Sequence, residues 1–237
     1  MNLSTKCRTE APEIMDDFEL EGSLLQESLD KIAQINRLLG GNKLTLDGVK
    51  KLISEVPQEQ TITVLDLGCG NGDMLRVLAD FANEYNRSIK LIGVDANPFT
   101  IGYAKKCSSR YANIEYLSED IFELDFEQIK FDIALCTLTL HHFRNDDIIQ
   151  LIEKLERTTT LGIVVNDLHR SKIAYRLFQM IAVVFRLNEM SRKDGLTSIL
   201  RGFKKNELID FSKNFPNSNS VIKWKWAFRY QWIIAKL

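Results

Sequence analysis

Hydrophobic positions along the chain predict alternating strands and helices between residues 61 and 167. Short apolar runs rich in β-branched residues are typical of buried strands, and longer segments with apolar residues every three or four positions are typical of amphipathic helices. This alternation indicates right-handed βαβ units and a parallel sheet. The predicted strands are residues 61–67, 89–94, 114–117, 131–136 and 161–165, and the intervening helices are residues 72–83, 98–109 and 146–156.

The segments that flank this alternation follow other patterns. Helical spacing predicts an N-terminal helix over residues 23–39, which should end at Gly40 and Gly41, and a second over residues 45–56. The predicted fold class is therefore α/β: a doubly wound, Rossmann-like sheet of seven strands, mostly parallel and closed by a C-terminal antiparallel hairpin. After residue 167 we expect a long helix at 172–187, a polar stretch at 188–195, a helix at 204–211 and strands at 220–227 and 230–235.

Length and composition indicate one domain over residues 1–237. A chain of 237 residues with 45% hydrophobic content can bury one core, and no Pro/Gly/Ser-rich linker divides it. Within this domain we expect four regions: an N-terminal helical cap (1–57), a ligand-binding core (61–167), an insertion over the substrate (168–203), and a closing helix and hairpin (204–237).

Charge and cysteine content limit the partners and the compartment. The formal net charge is −1, yet residues 169–237 hold 14 basic and 4 acidic residues, which could attract an acidic partner or simply form a solvated face. The longest uncharged apolar stretch, residues 177–185, is far shorter than the ~20 residues that span a bilayer, so we expect no stable membrane insertion. Four cysteines without metal-like spacing indicate free thiols and a cytoplasmic location.

A glycine loop after the first predicted strand is the strongest candidate for a ligand site. In a doubly wound sheet, ligands bind beyond the carboxyl ends of the strands. Gly68, Gly70 and Gly72 allow a close backbone approach, and the next helix offers free N–H groups. Such loops also bind dinucleotides. Here Leu75 replaces the third glycine of GxGxxG, and Asp66 would repel a pyrophosphate.

Two further carboxylates follow the next strands of the predicted sheet. Asp95 ends the second strand, where its carboxylate can accept hydrogen bonds from both hydroxyls of a ribose. Asp120 follows the third strand, where it can accept from the exocyclic amine of adenine. Since Asp66 would attract an ammonium or sulfonium group, the three residues together describe an adenosine joined to a cationic amino-acid tail.

On these residues the sequence resembles the class I S-adenosylmethionine-dependent methyltransferases. The resemblance covers about residues 62–167. Residues 64–72 are similar to the first motif of the family, 93–96 to its ribose motif, 119–121 to its adenine motif and 131–136 to its fourth strand. Blocks similar to small-molecule methyltransferases of bacterial secondary or quinone metabolism occur at 13–17, 36–41, 166–170 and 201–203.

The resemblance implies that the cofactor is S-adenosylmethionine and that residues 140–143 face its methyl group. It assigns cofactor binding to Asp66, Gly68, Cys69, Gly70, Asn71, Gly72, Met74, Asp95, Ala96, Asp120, Ile121 and Cys136.

The acceptor can be narrowed by elimination. Residues 136–139 lack the Asp/Asn-Pro-Pro-aromatic tetrad of enzymes that methylate nucleic-acid amines, and they lack the Pro-Cys nucleophile of pyrimidine C5 methylation. The aromatic-interleaved basic patch expected for single-stranded RNA is also absent. We therefore expect no nucleic-acid partner. The apolar segment 172–200 favours a hydrophobic small molecule. We therefore expect O-methylation of a phenolic, quinol or polyketide-type acceptor. C-methylation, a carrier-protein-bound acceptor and a non-catalytic module are the alternatives, and the oligomeric state is open between a monomer and a homodimer.

Three histidines lie near the predicted active face. His142 and His169 are candidate bases, because imidazole can take the proton of a hydroxyl near neutral pH. His141 is expected to have a structural role, since adjacent side chains that leave a strand point in opposite directions.

A metal site and anion-anchoring arginines are the other chemical possibilities. His142, His169, Asn166 and Asp167 offer ligand atoms for Mg²⁺, but threonine stands where catechol methyltransferases carry a carboxylate, so we expect no resident metal. Three arginines could anchor an acidic group of the substrate, although each is expected to be solvated: Arg170, Arg192 and Arg201.

Overall fold

A computed structural model describes residues 3–237 and contains one seven-stranded sheet. The strand order is β3-β2-β1-β4-β5-β7-β6, in which the first five strands are parallel and β7 lies antiparallel between β5 and β6. The predicted fold class is confirmed. The strands are β1 (Ile62–Leu67), β2 (Ile89–Asp95), β3 (Ile114–Ser118), β4 (Ile133–Thr137), β5 (Gly162–Leu168), β6 (Ser218–Lys225) and β7 (Arg229–Lys236).

Helices cover both faces of this sheet and its carboxyl edge. One buried apolar cluster packs α5 and α8 on one face, and a second packs α2, α3 and α4 on the other. None of the helices within residues 3–237 is long and apolar enough to cross a membrane. The helices are α1 (Ser23–Leu38), α2 (Gly41–Leu52), α3 (Asp73–Glu84), α4 (Pro98–Cys107), α5 (Asn145–Thr158), α6 (Lys172–Val184), α7 (Glu189–Arg201) and α8 (Lys205–Ser212), with short 3₁₀ turns at Ile14–Asp16 and Leu140–His142.

Two helices differ from the sequence prediction in ways that matter for the site. α2 begins at Gly41 rather than residue 45, because Gly40 adopts a φ of +75° and turns the chain directly from α1 into α2. The polar stretch 188–195, for which no helix was predicted, is the cap and first half of α7. Two of its polar side chains are bonded within the structure: the Asn188 side chain accepts from the Ser191 N–H at 2.9 Å, and buried Asp194 accepts from backbone N–H groups of the N-terminal turn.

Candidate active site

A cavity of about 1000 Å³ lies beyond the carboxyl ends of the parallel strands. Residues that follow β1, β2, β3 and β4 form one part of its wall. The turn at Ile14–Asp16, the helices α1, α6 and α7, the end of β5 and the turn between β6 and β7 contribute further parts. This volume is at the upper end of small-molecule sites, so the cavity has room for a cofactor and a second ligand.

The glycine loop after β1 is held against the end of β2. The N–H groups of Gly68 and Cys69 both donate to the Val94 carbonyl, at 2.8 and 3.0 Å. Gly68 has a φ of +68°, and a Cβ at this position would lie 2.9 Å from the Thr139 side chain. A glycine is therefore required where the loops that follow β1 and β4 approach each other.

Asp66 presents a carboxylate oxygen without a partner. The residue is 2% exposed, and no hydrogen-bond donor among the described residues contacts its Oδ1. Burial, together with the negative charge of Asp95, raises the pKa of Asp66 to about 8. Because both carboxylates line the cavity, a cationic group of a ligand would complete this end of the site.

Asp95 lies at the carboxyl end of β2 and fixes the neighbouring loops. Its Oδ2 accepts from the Gly70 N–H at 3.0 Å, and its Oδ1 accepts from the Asn97 N–H at 3.1 Å. Each carboxylate oxygen can accept a further hydrogen bond, and because Asp95 lines the cavity, a ligand hydroxyl could donate it. Burial raises the pKa of Asp95.

The other residues assigned to the cofactor fall into two groups. Asp120 accepts from the Phe122 N–H at 2.9 Å in the loop after β3, and it lines the cavity. Gly72 and Cys136 are not brought to the cavity wall. Gly72 precedes α3 beside the Tyr116 hydroxyl, and Cys136 faces the core because the strand alternation turns its neighbour, Thr137, to the cavity. The cavity-lining group also contains Gly68, Cys69, Gly70, Asn71, Met74, Ala96 and Ile121.

A polar cluster occupies the wall next to the β4 loop. His141 and His142 lie in the 3₁₀ turn at Leu140–His142, and their ring centroids are 4.2 Å apart. The expectation that the two side chains would point in opposite directions is wrong, because a 3₁₀ turn rotates residues by about 120° rather than alternating them. His141 Nδ1 bonds to Asp167 at 2.7 Å, and His142 Nδ1 bonds to Asp16 at 2.6 Å.

The N-terminal turn supplies functional residues that the sequence analysis did not assign. Glu13 is 7% exposed, and its Oε1 has no hydrogen-bond partner among the described residues. Burial raises the pKa of Glu13 to about 7. Arg201 of α7 bonds to Asp16 at 2.6 Å. In the sequence, these residues were marked only by the resemblance of blocks 13–17 and 201–203 to small-molecule methyltransferases. That resemblance did not indicate that they contact His142.

His169 lies away from this cluster, although it also lines the cavity. The Trp224 Nε1 donates to His169 Nδ1 at 3.2 Å, and Phe228 stacks on the ring. Burial, with a further contribution from nearby cations, lowers the pKa of His169. Asn166 is fully buried and donates to Gly41 and Thr45. The four residues considered for Mg²⁺ therefore do not converge.

Two of the three candidate arginines have a role other than the expected one. Arg170 is fully buried and Arg201 is 8% exposed, so the expectation that they are solvated is wrong. Both donate to backbone carbonyls and carboxylates within the protein. Arg192 is exposed, as expected.

The insertion after β5 forms an apolar chamber beside the polar residues. Phe178, Met180, Phe185 and Leu187 line the cavity, as expected for this segment. Met190 instead packs in a small core with α1. His142 and the β4 loop line the same cavity, so an apolar ligand in the chamber would share the cavity with these polar residues.

Comparisons with known proteins agree with this architecture. The methyltransferase-domain family matches residues 58–212. Comparison with curated proteins gives no match. Similar solved structures include the plantazolicin methyltransferase BpumL in complex with SAH (TM-score 0.66, 14% identity, 90% of this chain and 94% of that chain).

Two further structures share the fold at similarly low identity. One is the magnesium protoporphyrin IX methyltransferase from Synechocystis PCC 6803 with bound SAM (TM-score 0.56, 14% identity, 94% of this chain and 88% of that chain). The other is a SAM-dependent methyltransferase from Aquifex aeolicus (TM-score 0.56, 16% identity, 86% of this chain and 97% of that chain).

Proposed function

Because the chain belongs to the methyltransferase-domain family and is a class I S-adenosylmethionine-dependent methyltransferase, we propose that it methylates a hydroxyl oxygen of a hydrophobic small molecule. One observation carries the proposal: a single cavity joins a carboxylate-rich end to an apolar chamber. The structural neighbours act on chemically different acceptors, so the acceptor is inferred from this cavity. A phenolic, quinol or polyketide-type compound fits it.

S-adenosylmethionine carries its methyl group on a sulfonium whose sulfur leaves as a neutral thioether, and the residues present fit this cofactor. The unpartnered Oδ1 of Asp66 suits its cationic tail, and the free lone pairs of Asp95 suit the ribose hydroxyls. Asp120 is proposed to accept from the adenine amine. The apolar chamber would exclude water and align the acceptor for in-line displacement.

Cofactor binding is expected to release a proton from Asp66. At pH 7 this carboxyl, with a pKa of about 8, is mostly protonated in the free enzyme, and a cationic tail favours its ionised form. Calorimetry at pH 7 in buffers of different ionisation enthalpy should show release of a large fraction of one proton. Asp66→Asn should release much less. Equal proton release by the two proteins would contradict the placement of the cationic tail.

His142 is proposed to act on the acceptor oxygen. Its Nδ1 is bonded to Asp16, which leaves Nε2 available, and it follows β4 where the family places the methyl group. His169, the other candidate, is bonded to Trp224 and lies outside the cluster of Glu13, His141 and His142.

His142→Ala is expected to lower kcat at least tenfold, which is ~1.4 kcal/mol of activation free energy. The measurement is transfer of labelled methyl groups to a panel of phenols, quinols and hydroxy acids, with thermal unfolding as a check of the fold. His169→Ala tests the other candidate in the same assay. A loss confined to His169→Ala would move the role to that residue, and no transfer to any acceptor by the wild type would favour a non-catalytic module.

The alternative acceptors, the cellular location and the oligomeric state stay predictions. A C-methylation or a carrier-protein-bound acceptor would use the same cofactor end of the cavity. The basic surplus of residues 169–237 would then dock an acidic carrier. Cytoplasmic location is inferred from the four free cysteines, and the chain is proposed to act as a monomer or a homodimer.

A further inference from the structure

Three potential metal ligands converge on the cavity wall next to the β4 loop. One carboxylate oxygen of Glu13 and one ring nitrogen from each of His141 and His142 lie within 4.8 Å of one another. His141 Nε2 is 3.7 Å from Glu13 Oε1. These distances are close to the spacing of ligands around a shared cation, and all three residues line the cavity.

Both histidines have one ring nitrogen occupied by a carboxylate. His141 Nδ1 bonds to Asp167 and His142 Nδ1 bonds to Asp16. A neutral imidazole that donates its Nδ1–H in this way keeps the lone pair of Nε2 for a ligand. Histidines that bind metals nearly always donate their other N–H to a carboxylate or a carbonyl, which fixes the tautomer and the ring. The two rings thus carry the outer partners that a metal site requires.

Glu13 contributes a carboxylate oxygen that has no partner in the protein. Its Oε2 accepts from the Ser198 hydroxyl at 2.7 Å, which holds the side chain in place. Its Oε1 is buried and accepts no hydrogen bond from the described residues, since His141 Nε2 and an Arg201 nitrogen are 3.7 and 3.8 Å away, beyond hydrogen-bond distance. An unpaired buried carboxylate oxygen is costly, and a cation between Glu13 and the two histidines would offset that cost.

The charges around the cluster favour a divalent cation. Carboxylates from the N-terminal turn, β5 and α7 face it, and two guanidinium groups approach it. Four carboxylates thus face the cluster against two guanidinium groups, an excess of acidic groups that would attract a divalent cation. The carboxylates are Glu13, Asp16, Asp167 and Asp194, and the guanidinium groups are Arg8 and Arg201.

We propose that Glu13, His141 and His142 bind one divalent transition-metal cation in the cavity that also contains the apolar chamber. Two imidazole nitrogens and a carboxylate form the donor set of open Zn²⁺ sites, which keep a position for a further ligand. This inference replaces the expectation of no resident metal. That expectation weighed His142 with Asn166, Asp167 and His169, which do not converge, and it did not include Glu13.

The role of the cation rests on the proposed function, whereas its binding does not. A hydroxyl of the acceptor at the open position would lose its proton to solvent more readily. The resulting oxygen lone pair forms the bond to the methyl carbon, and the C–S bond electrons pass to sulfur. His142 would then act on the acceptor through the cation, with Nε2 as a ligand.

The test is metal binding by the full chain after removal of bound metals with a chelator. Calorimetry with Zn²⁺ and visible absorption with Co²⁺ should each show one saturable site. Glu13→Gln and His142→Ala should weaken binding at least tenfold. His169→Ala is the matched control, since it removes a histidine from the same cavity but outside the cluster, and its affinity should stay within twofold of the wild type.

Several results would overturn the inference. These are no saturable binding of either ion, wild-type affinity in Glu13→Gln, or an equal loss in His169→Ala. Glu13→Gln keeps the side-chain volume and removes an unpaired charge, so it should remain folded and decides the question if His142→Ala unfolds. S-adenosylmethionine binding is measured on the same sample. A chain that binds the cofactor but neither ion overturns the metal site and leaves the proposed function standing.

Discussion

Replacing Asp95 with alanine is expected to weaken S-adenosylmethionine binding by about two orders of magnitude. Two ribose hydroxyls bonded to a carboxylate contribute roughly 1.5–3 kcal/mol each, so their loss of about 3 kcal/mol or more corresponds to ~100-fold in affinity. The same carboxylate accepts from the N–H groups of Gly70 and Asn97, so its removal also releases the glycine loop. Both effects lower affinity.

Calorimetry with the cofactor and with its demethylated product measures this loss. Asp95→Asn separates the two effects, because an amide oxygen can still accept one backbone N–H but accepts the ribose less strongly. Glu115→Ala is the control, since it removes an exposed carboxylate from the adjacent strand β3, and its affinity should be unchanged. Unaltered binding by Asp95→Ala would show that the cofactor does not bind at the end of β2.

Asp95 illustrates what the sequence could predict. Parallel strands bring their carboxyl ends to one edge, so a strand pattern followed by Asp66, Asp95 and Asp120 already places three carboxylates in one cavity. This prediction requires only the local periodicity of the strands and their order in the sheet. Gly72 and Cys136 show its limit, because motif position alone does not tell which side of a loop or strand a residue faces.

The histidine cluster could not be predicted in this way. Asp16 meets His142 across 126 residues of chain, and no periodic pattern relates a short N-terminal turn to a loop after β4. No helix was predicted for the polar half of α7, because its partners are also distant in the chain. Asp194 accepts from Ile14 and Met15, which are about 180 positions earlier in the chain. Buried polar residues look like surface residues until their partners are known.

Arg170→Met is expected to lower the free energy of unfolding by about 3 kcal/mol, the low end of the range for breaking a buried ion pair, because Arg170 is fully buried but its partner Glu207 is 30% exposed. The guanidinium of Arg170 is fully buried. It bonds to Glu207 at 2.6 Å and donates to the carbonyls of Thr5 and Lys6, both at 3.1 Å, and of Gly202. Methionine fills similar space but leaves these acceptors without a donor.

Thermal and urea unfolding measure the effect, and the midpoint of thermal unfolding should fall by roughly 10 °C. Arg192→Met is the matched control: Arg192 is an exposed arginine of α7, and its loss should cost less than about 0.5 kcal/mol. Equal stability of the two variants would contradict the buried role of Arg170. Since Arg170 holds the carbonyls of Thr5 and Lys6, its loss should also free the segment that carries Glu13. Zn²⁺ binding should then weaken more than S-adenosylmethionine binding, whose carboxylates lie within the parallel strands.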